Sequence, residues 1–87
     1  MNEATRTVAN LPAEILAQEA TMNEAVGAAA GKVWACLSDN GVLAVYDLRR
    51  KTGLSTEMVH RAIGWLARED KLCSETTNGR EQFRLRA

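Results

Sequence analysis

The chain of 87 residues carries 11 basic and 11 acidic side chains, hence no net charge, and 46% of it is hydrophobic. That length makes one domain with one core, because a domain of this size buries only roughly 60% of the surface its unfolded chain exposes. The even balance excludes the strongly basic composition that would by itself mark a nucleic-acid binder, and no apolar run approaches the roughly 20 residues that span a bilayer.

The charge is unevenly spread. Residues 1–39 hold Arg6 and Lys32 against Glu3, Glu14, Glu19, Glu24 and Asp39, whereas residues 40–87 hold nine bases against six acids. Cys36 and Cys73 stand far apart with no C-x-x-C spacing, and no basic stretch followed by an apolar segment and cleavage site opens the chain. The expected compartment is a reducing cytoplasm.

In chain order, residues 1–21 contain the sole proline, Pro12, many small residues and a weak amphipathic stretch around Leu11, Ile15 and Leu16. They read as a flexible N-terminal arm, with the folded domain over 22–87. Met1-Asn2-Glu3-Ala4 recurs as Met22-Asn23-Glu24-Ala25, which makes Met22 a conceivable internal start, although chance repetition of four common residues explains it more simply. Thr21-x-x-Glu24 matches a capping box and precedes Val26, Ala29, Ala30, Val33, Trp34 and Leu37 at helical spacing, predicting a first helix over about 22–39. Asn40-Gly41 ends it. Val42-Leu43-Ala44 is too short for a helix and predicts a small strand, and a second helix follows from Val45 to Thr52, closed by Gly53.

Ser55 is a suitable N-cap for a third helix, whose core side is Val59, Ala62, Ile63, Leu66 and Ala67 and whose opposite side is Glu57, Arg61, Gly64 and Arg68, with His60 at its edge. The period then changes. Leu72–Thr77, Asn78-Gly79 and Arg80–Arg86 read as a β-hairpin, since Asn-Gly supplies the two positive φ angles of a type I′ turn. Pairing outward sets Leu72 opposite Leu85 and Ser74 opposite Phe83 on an apolar face, and Cys73 opposite Arg84 and Glu75 opposite Gln82 on a polar one. The result is an α+β, mainly α, winged helix-turn-helix: three helices, a short strand and a two-stranded β-wing. Its apolar side chains over 26–37, 59–67 and 72–85 should close on one interior and send Arg61 and Arg80 outward on the same side.

Three stretches carry a closer resemblance: Gly31-Lys32-Val33-Trp34, Asp47 through Ser55, and Ala62-Ile63-Gly64-Trp65-Leu66-Ala67-Arg68-Glu69-Asp70-Lys71. Over about residues 23–86 the chain resembles a family of small bacterial and archaeal winged-helix proteins of unknown function, the Gly-Trp-Leu-Ala-Arg-Glu run being the most specific part. The resemblance implies the fold, a small size and a standalone chain, but no biochemical role. The chain departs from the pattern at Ala44, where a capping Ser or Thr would open the second helix, and Asp47 compensates in part with a carboxylate in the first turn.

In DNA-binding proteins of this topology the later helix enters the major groove. Thr56, His60, Arg61 and Arg68 on the third helix are therefore candidate DNA contacts, with Arg61 able to grip a guanine through two hydrogen bonds. Arg80 and Arg84 on the wing are candidate backbone contacts. Glu57 opposes this reading, because an exposed carboxylate is repelled by phosphates unless it accepts from a cytosine amino group. Each feature also has a plainer account: a solvated helix face, cations favoured by the helix dipole at Arg49, Arg50 and Lys51, and cationic strands that block edge pairing. Trp34 and Trp65 read as core or near-core residues. Neither cysteine has an activating cluster beyond Arg84 across the hairpin.

One histidine, no convergent carboxylates, no Gly-rich phosphate loop and no metal-ligand spacing leave acid–base, nucleophilic and metal mechanisms without their parts. The expectation is a non-enzyme with no cofactor and no small-molecule substrate. Two readings stand open: a winged-helix domain that binds double-stranded DNA, as a transcription regulator and potentially as a homodimer, or a protein-interaction or dimerisation module that keeps the fold without the DNA role.

Overall fold

The computed structural model describes residues 13–86, with side chains from Thr21 onward. Three helices precede a hairpin: α1 (Ala13–Asn40), α2 (Val45–Thr52), α3 (Thr56–Arg68), β1 (Leu72–Thr77) and β2 (Arg80–Leu85). Helices α2 and α3 and both strands lie where the sequence places them, β2 ending one residue short at Leu85. Helix α1 is the exception. It begins at Ala13, so Thr21 lies well inside the helix and the Thr21-x-x-Glu24 pattern does not open it. The reason is that residues 13–21 are mostly good helix formers such as Ala, Glu, Leu and Gln, which continue the helix upstream without a break. Of the expected arm, residues 13–21 are thus helical and residues 1–12 lie outside the described residues.

One core unites the elements. Ala29, Ala30, Val33 and Leu37 of α1, Leu48 of α2, Val59, Ala62 and Leu66 of α3, Leu72 of β1 and Phe83 of β2 form a single buried cluster, with Leu43, Val45, Leu54, Met58, Ile63 and Leu85 packed around it. Val33, Leu48, Val59 and Ala62 are wholly inaccessible. The α1 and α3 members recur every three or four residues, so each helix turns one stripe inward, and α1 packs chiefly on α3. Ala67, expected in that stripe, is exposed: one residue past Leu66 it is rotated about 100° from the buried side.

The hairpin has the expected register, with Leu72 opposite Leu85, Ser74 opposite Phe83, Cys73 opposite Arg84 and Glu75 opposite Gln82. Asn78 and Gly79 turn it with φ of 54° and 77°, the two left-handed angles of a type I′ turn. The short strand contracts to one residue, Leu43, which exchanges backbone hydrogen bonds with Phe83 in both directions, 3.0 Å from Leu43 N to Phe83 O and 2.8 Å from Phe83 N to Leu43 O.

Local chemistry fixes the helix ends. Ser55 Oγ accepts from Met58 N at 3.1 Å to cap α3. At α2 the capping position is Ala44, which offers no side-chain hydrogen bond, and the far end is closed by Gly53 at φ 76°, whose N–H reaches Arg49 O. Helix α3 ends through Asp70 in the left-handed region (φ 60°), with Asp70 N donating to Ala67 O and Lys71 N to Leu66 O.

These ends predict opposite effects. Ser55→Ala should cost about 1 kcal/mol and Ala44→Ser should add about 1 kcal/mol, both read from urea unfolding midpoints; equal midpoints for Ala44→Ser and wild type would show that the first turn of α2 already has its donors satisfied.

Candidate nucleic-acid interface

Helix α3 presents an exposed polar face. Because Val59, Ala62 and Leu66 take one side inward, Glu57, His60, Arg61, Gly64 and Arg68 are left on the other, all exposed, with Thr56 half-buried at the first turn. Among the described residues no ion pair engages Arg61 or Arg68. Gly64 is the unusual member: a Cβ built there would meet nothing within 4 Å, so the fold itself has no need of a glycine in the middle of this helix.

The wing cations are more committed than the sequence suggests. Arg80, at the turn, is exposed and has no ion pair among the described residues. Arg84 instead lies 3.6 Å from Glu75 on the neighbouring strand, and Arg86 donates to Asp70 Oδ1 at 2.9 Å. Lys71 is paired with Glu69 at 3.6 Å. These exposed pairs are weak, each worth up to about 1 kcal/mol, but they reduce the free positive charge along the hairpin.

Both tryptophans depart from the expected core placement. Trp34 is 45% exposed and Trp65 39% exposed. They line a groove of about 400 Å³ with Gly27, Ala30, Gly31, Leu66, Glu69 and Lys71. The cause is local: the Trp65 ring lies over Gly27, 3.8 Å from where a Cβ would stand, and neither Gly27 nor Gly31 has a side chain to cover an indole face. The cysteines are free and half-buried, Cys36 on α1 and Cys73 on β1, and Asn40 Nδ2 donates to Cys36 O at 2.7 Å.

A cluster on α2 joins the list. Tyr46 is 58% exposed, and the guanidinium carbons of Arg49 and Arg50 stand 5.9 and 5.7 Å from its ring centroid. Arg49 Nη1 also donates to Thr56 Oγ1 at 3.4 Å, a long contact that ties α2 to the first turn of α3. Sequence reasoning passed over Tyr46. The signal was present as a tyrosine followed at i+3 and i+4 by arginines, the spacing that stacks side chains on one helix face.

Residues 20–85 match the family model described as Winged helix-turn-helix domain (DUF2582). The chain belongs to that family. It is 39% identical over 49 residues to the uncharacterised protein MJ1608 of Methanocaldococcus jannaschii, a match covering 54% of this chain and 70% of that protein. Among solved structures, protein BT2368 of Bacteroides thetaiotaomicron is 42% identical with a TM-score of 0.67, covering 71% of this chain and 76% of the other. The Zalpha domain of Carassius auratus PKZ, solved in complex with Z-DNA, shares the fold at 19% identity and a TM-score of 0.62, covering 71% and 98%. So does the antimony-specific transcriptional repressor AntR, at 14% and 0.57, covering 100% and 79%. No helix of the described residues is long and apolar enough to cross a membrane, and no group of three or more His, Cys, Asp or Glu among them could hold a metal ion.

Gly64 gives a direct test of the outward face. With open space at its Cβ, Gly64→Ala should stabilise the free domain by about 1 kcal/mol, the difference in helix propensity; a loss of stability in urea unfolding would mean that the backbone there is more crowded than the geometry indicates.

Proposed function

We propose that this domain binds double-stranded DNA as a regulatory module, laying the outward face of α3 in the major groove and the wing along the backbone. The observation that carries the reading is that Arg61, Arg68 and Arg80, on the two elements that a winged helix brings to a duplex, have no ion pair among the described residues. Arg61 would read a guanine edge, with His60 and Thr56 contacting neighbouring positions, while Arg68, Arg80 and Arg84 would meet phosphates, Arg84 on release from Glu75. Two structural neighbours add support, one solved on Z-DNA and one a transcriptional repressor. The module brings binding and no catalysis, works in the cytoplasm where its two free cysteines stay reduced, and engages its site as one copy or as a homodimer.

The reading requires a salt dependence. The three phosphate contacts from Arg68, Arg80 and Arg84 give a log–log slope of about −3 or steeper in duplex titrations. Arg80→Glu should weaken all sequences alike, whereas Arg61→Ala should blur base preference, with discrimination falling by about 1–3 kcal/mol at one position. Absence of duplex binding at low salt ends the proposal.

A protein-interaction role is the second reading, and the half-exposed Trp34 and Trp65 favour it, since paired aromatics beside a groove are typical anchors of protein interfaces. Glu57 on the outward face of α3 also favours it. On this reading the wild type self-associates in sedimentation and binds no duplex at low salt, and Trp65→Ala abolishes the association; salt-dependent duplex binding with association unmoved by Trp65→Ala would remove it.

A further inference from the structure

The strongest concentration of uncommitted positive charge is on α2, not on the wing. In eight residues α2 carries Arg49, Arg50 and Lys51 against the single acid Asp47, and none of the three cations has an ion pair among the described residues. The wing's Arg84 and the following Arg86, by contrast, are held by Glu75 and Asp70.

The helix dipole favours cations at this end of α2, but it does not fix where their head groups lie. Gly53 N closes the helix on Arg49 O at 3.0 Å, and the side-chain hydrogen bond that Arg49 makes goes to Thr56 Oγ1, not to a carbonyl of the last turn. The two guanidiniums stand instead over the ring of Tyr46. Cation–π contact of this kind is worth about 0.5–1 kcal/mol at an exposed site, which offsets part of the roughly 1.5–2 kcal/mol of rotamer freedom that a long side chain loses when it is fixed on binding. A guanidinium held by its face keeps its N–H edge for an acceptor, and a planar fork of donors matches a phosphate.

Resting on the duplex-binding reading above, we propose that Tyr46, Arg49 and Arg50 form a backbone clamp, in which the exposed ring preorganises both arginines against consecutive phosphates flanking the groove that α3 enters. The Arg49–Thr56 contact fixes the clamp to the first turn of α3, so that phosphate positioning and base reading share one rigid unit. Tyr46 acts as a positioning residue and makes no contact with bases.

Duplex titrations at several salt concentrations, on two unrelated sequences, test it. With the clamp the wild-type slope is about −4.5, and Arg49→Gln combined with Arg50→Gln brings it to about −3 while weakening both sequences equally. Tyr46→Leu weakens binding about two- to fivefold, the fold-change equivalent of one exposed cation–π contact, and Tyr46→Phe, which keeps the ring, binds as wild type. All three side chains are on the surface, and circular dichroism confirms that each variant is folded. A wild type that binds duplex with a slope unmoved by the double substitution overturns the clamp and leaves the DNA reading standing. A shift in base preference in place of slope overturns the backbone assignment. If Tyr46→Phe loses as much as Tyr46→Leu, the ring has no ordering role. A wild type that binds no duplex at low salt removes the reading and the clamp together.

Discussion

The reciprocal backbone hydrogen bonds between Leu43 and Phe83 hold the molecule in the shape its surface depends on. Leu43 lies between the end of α1 and the start of α2, and Phe83 lies in the returning strand of the wing. Joining them fixes the hairpin to the point where the chain turns from one helix into the next. The Phe83 side chain, 5% exposed, enters the same cluster as Val33, Leu37, Leu48 and Val59. Backbone pairing and apolar burial therefore act at one residue. Loss of the ring would cost about 3–5 kcal/mol, a large part of what a domain of this size possesses.

From that anchoring the charge pattern acquires a geography. The wing is fixed close to the helices, and Arg84 and Arg86 have acidic partners across the hairpin and in the preceding loop, Glu75 and Asp70. Among the described residues the α2 cations make no ion pair, and Arg49 and Arg50 stand over an aromatic ring instead. A chain with zero net charge can thus present a locally positive surface without raising its total, because most of its acids lie in the α1 half or in exposed pairs on the wing. Net charge is a poor guide to nucleic-acid binding for this reason: phosphates respond to charges within about a Debye length, roughly 8–10 Å, and not to the sum over the chain.

Much of the fold was legible because its strongest signals are local. Asn78-Gly79 dictates a turn, the turn dictates the register, and the register brings Phe83 opposite Ser74 and turns it inward. Gly53, through its left-handed backbone, and Ser55, through its capping hydroxyl, bracket the turn between α2 and α3. The start of α1 was less legible, since Thr21-x-x-Glu24 fits a helix interior as well as a cap. Pro12 immediately before Ala13-Glu14 was the better signal, because proline and an acid both suit a first turn. The tryptophans were misplaced for a different reason. A helical wheel gives the direction of a side chain but not whether a neighbour covers it, and the neighbours of Trp34 and Trp65 on α1 are Gly27 and Gly31. Of the candidate site, the outward set on α3 could be read from periodicity, while the restraint of Arg84 by Glu75 and the Tyr46 cluster required coordinates.

The two functional readings meet on α3 itself. Trp65 lies one helical turn beyond Arg61 and three residues before Arg68, so the aromatic groove borders the face assigned to the duplex. A protein seated on the indoles would come within side-chain reach of both arginines, and a duplex laid along Arg61, Gly64 and Arg68 would approach the exposed edge of the groove. Gly64 sits between these surfaces and weakens the helix by about 1 kcal/mol relative to alanine without relieving any contact in the fold. A cost of that kind, at an open position on an exposed polar face, is what close approach by a partner's backbone would require. It supports a partner at the outward face of α3 on either reading, and the α2 cations beside it favour one that carries phosphate.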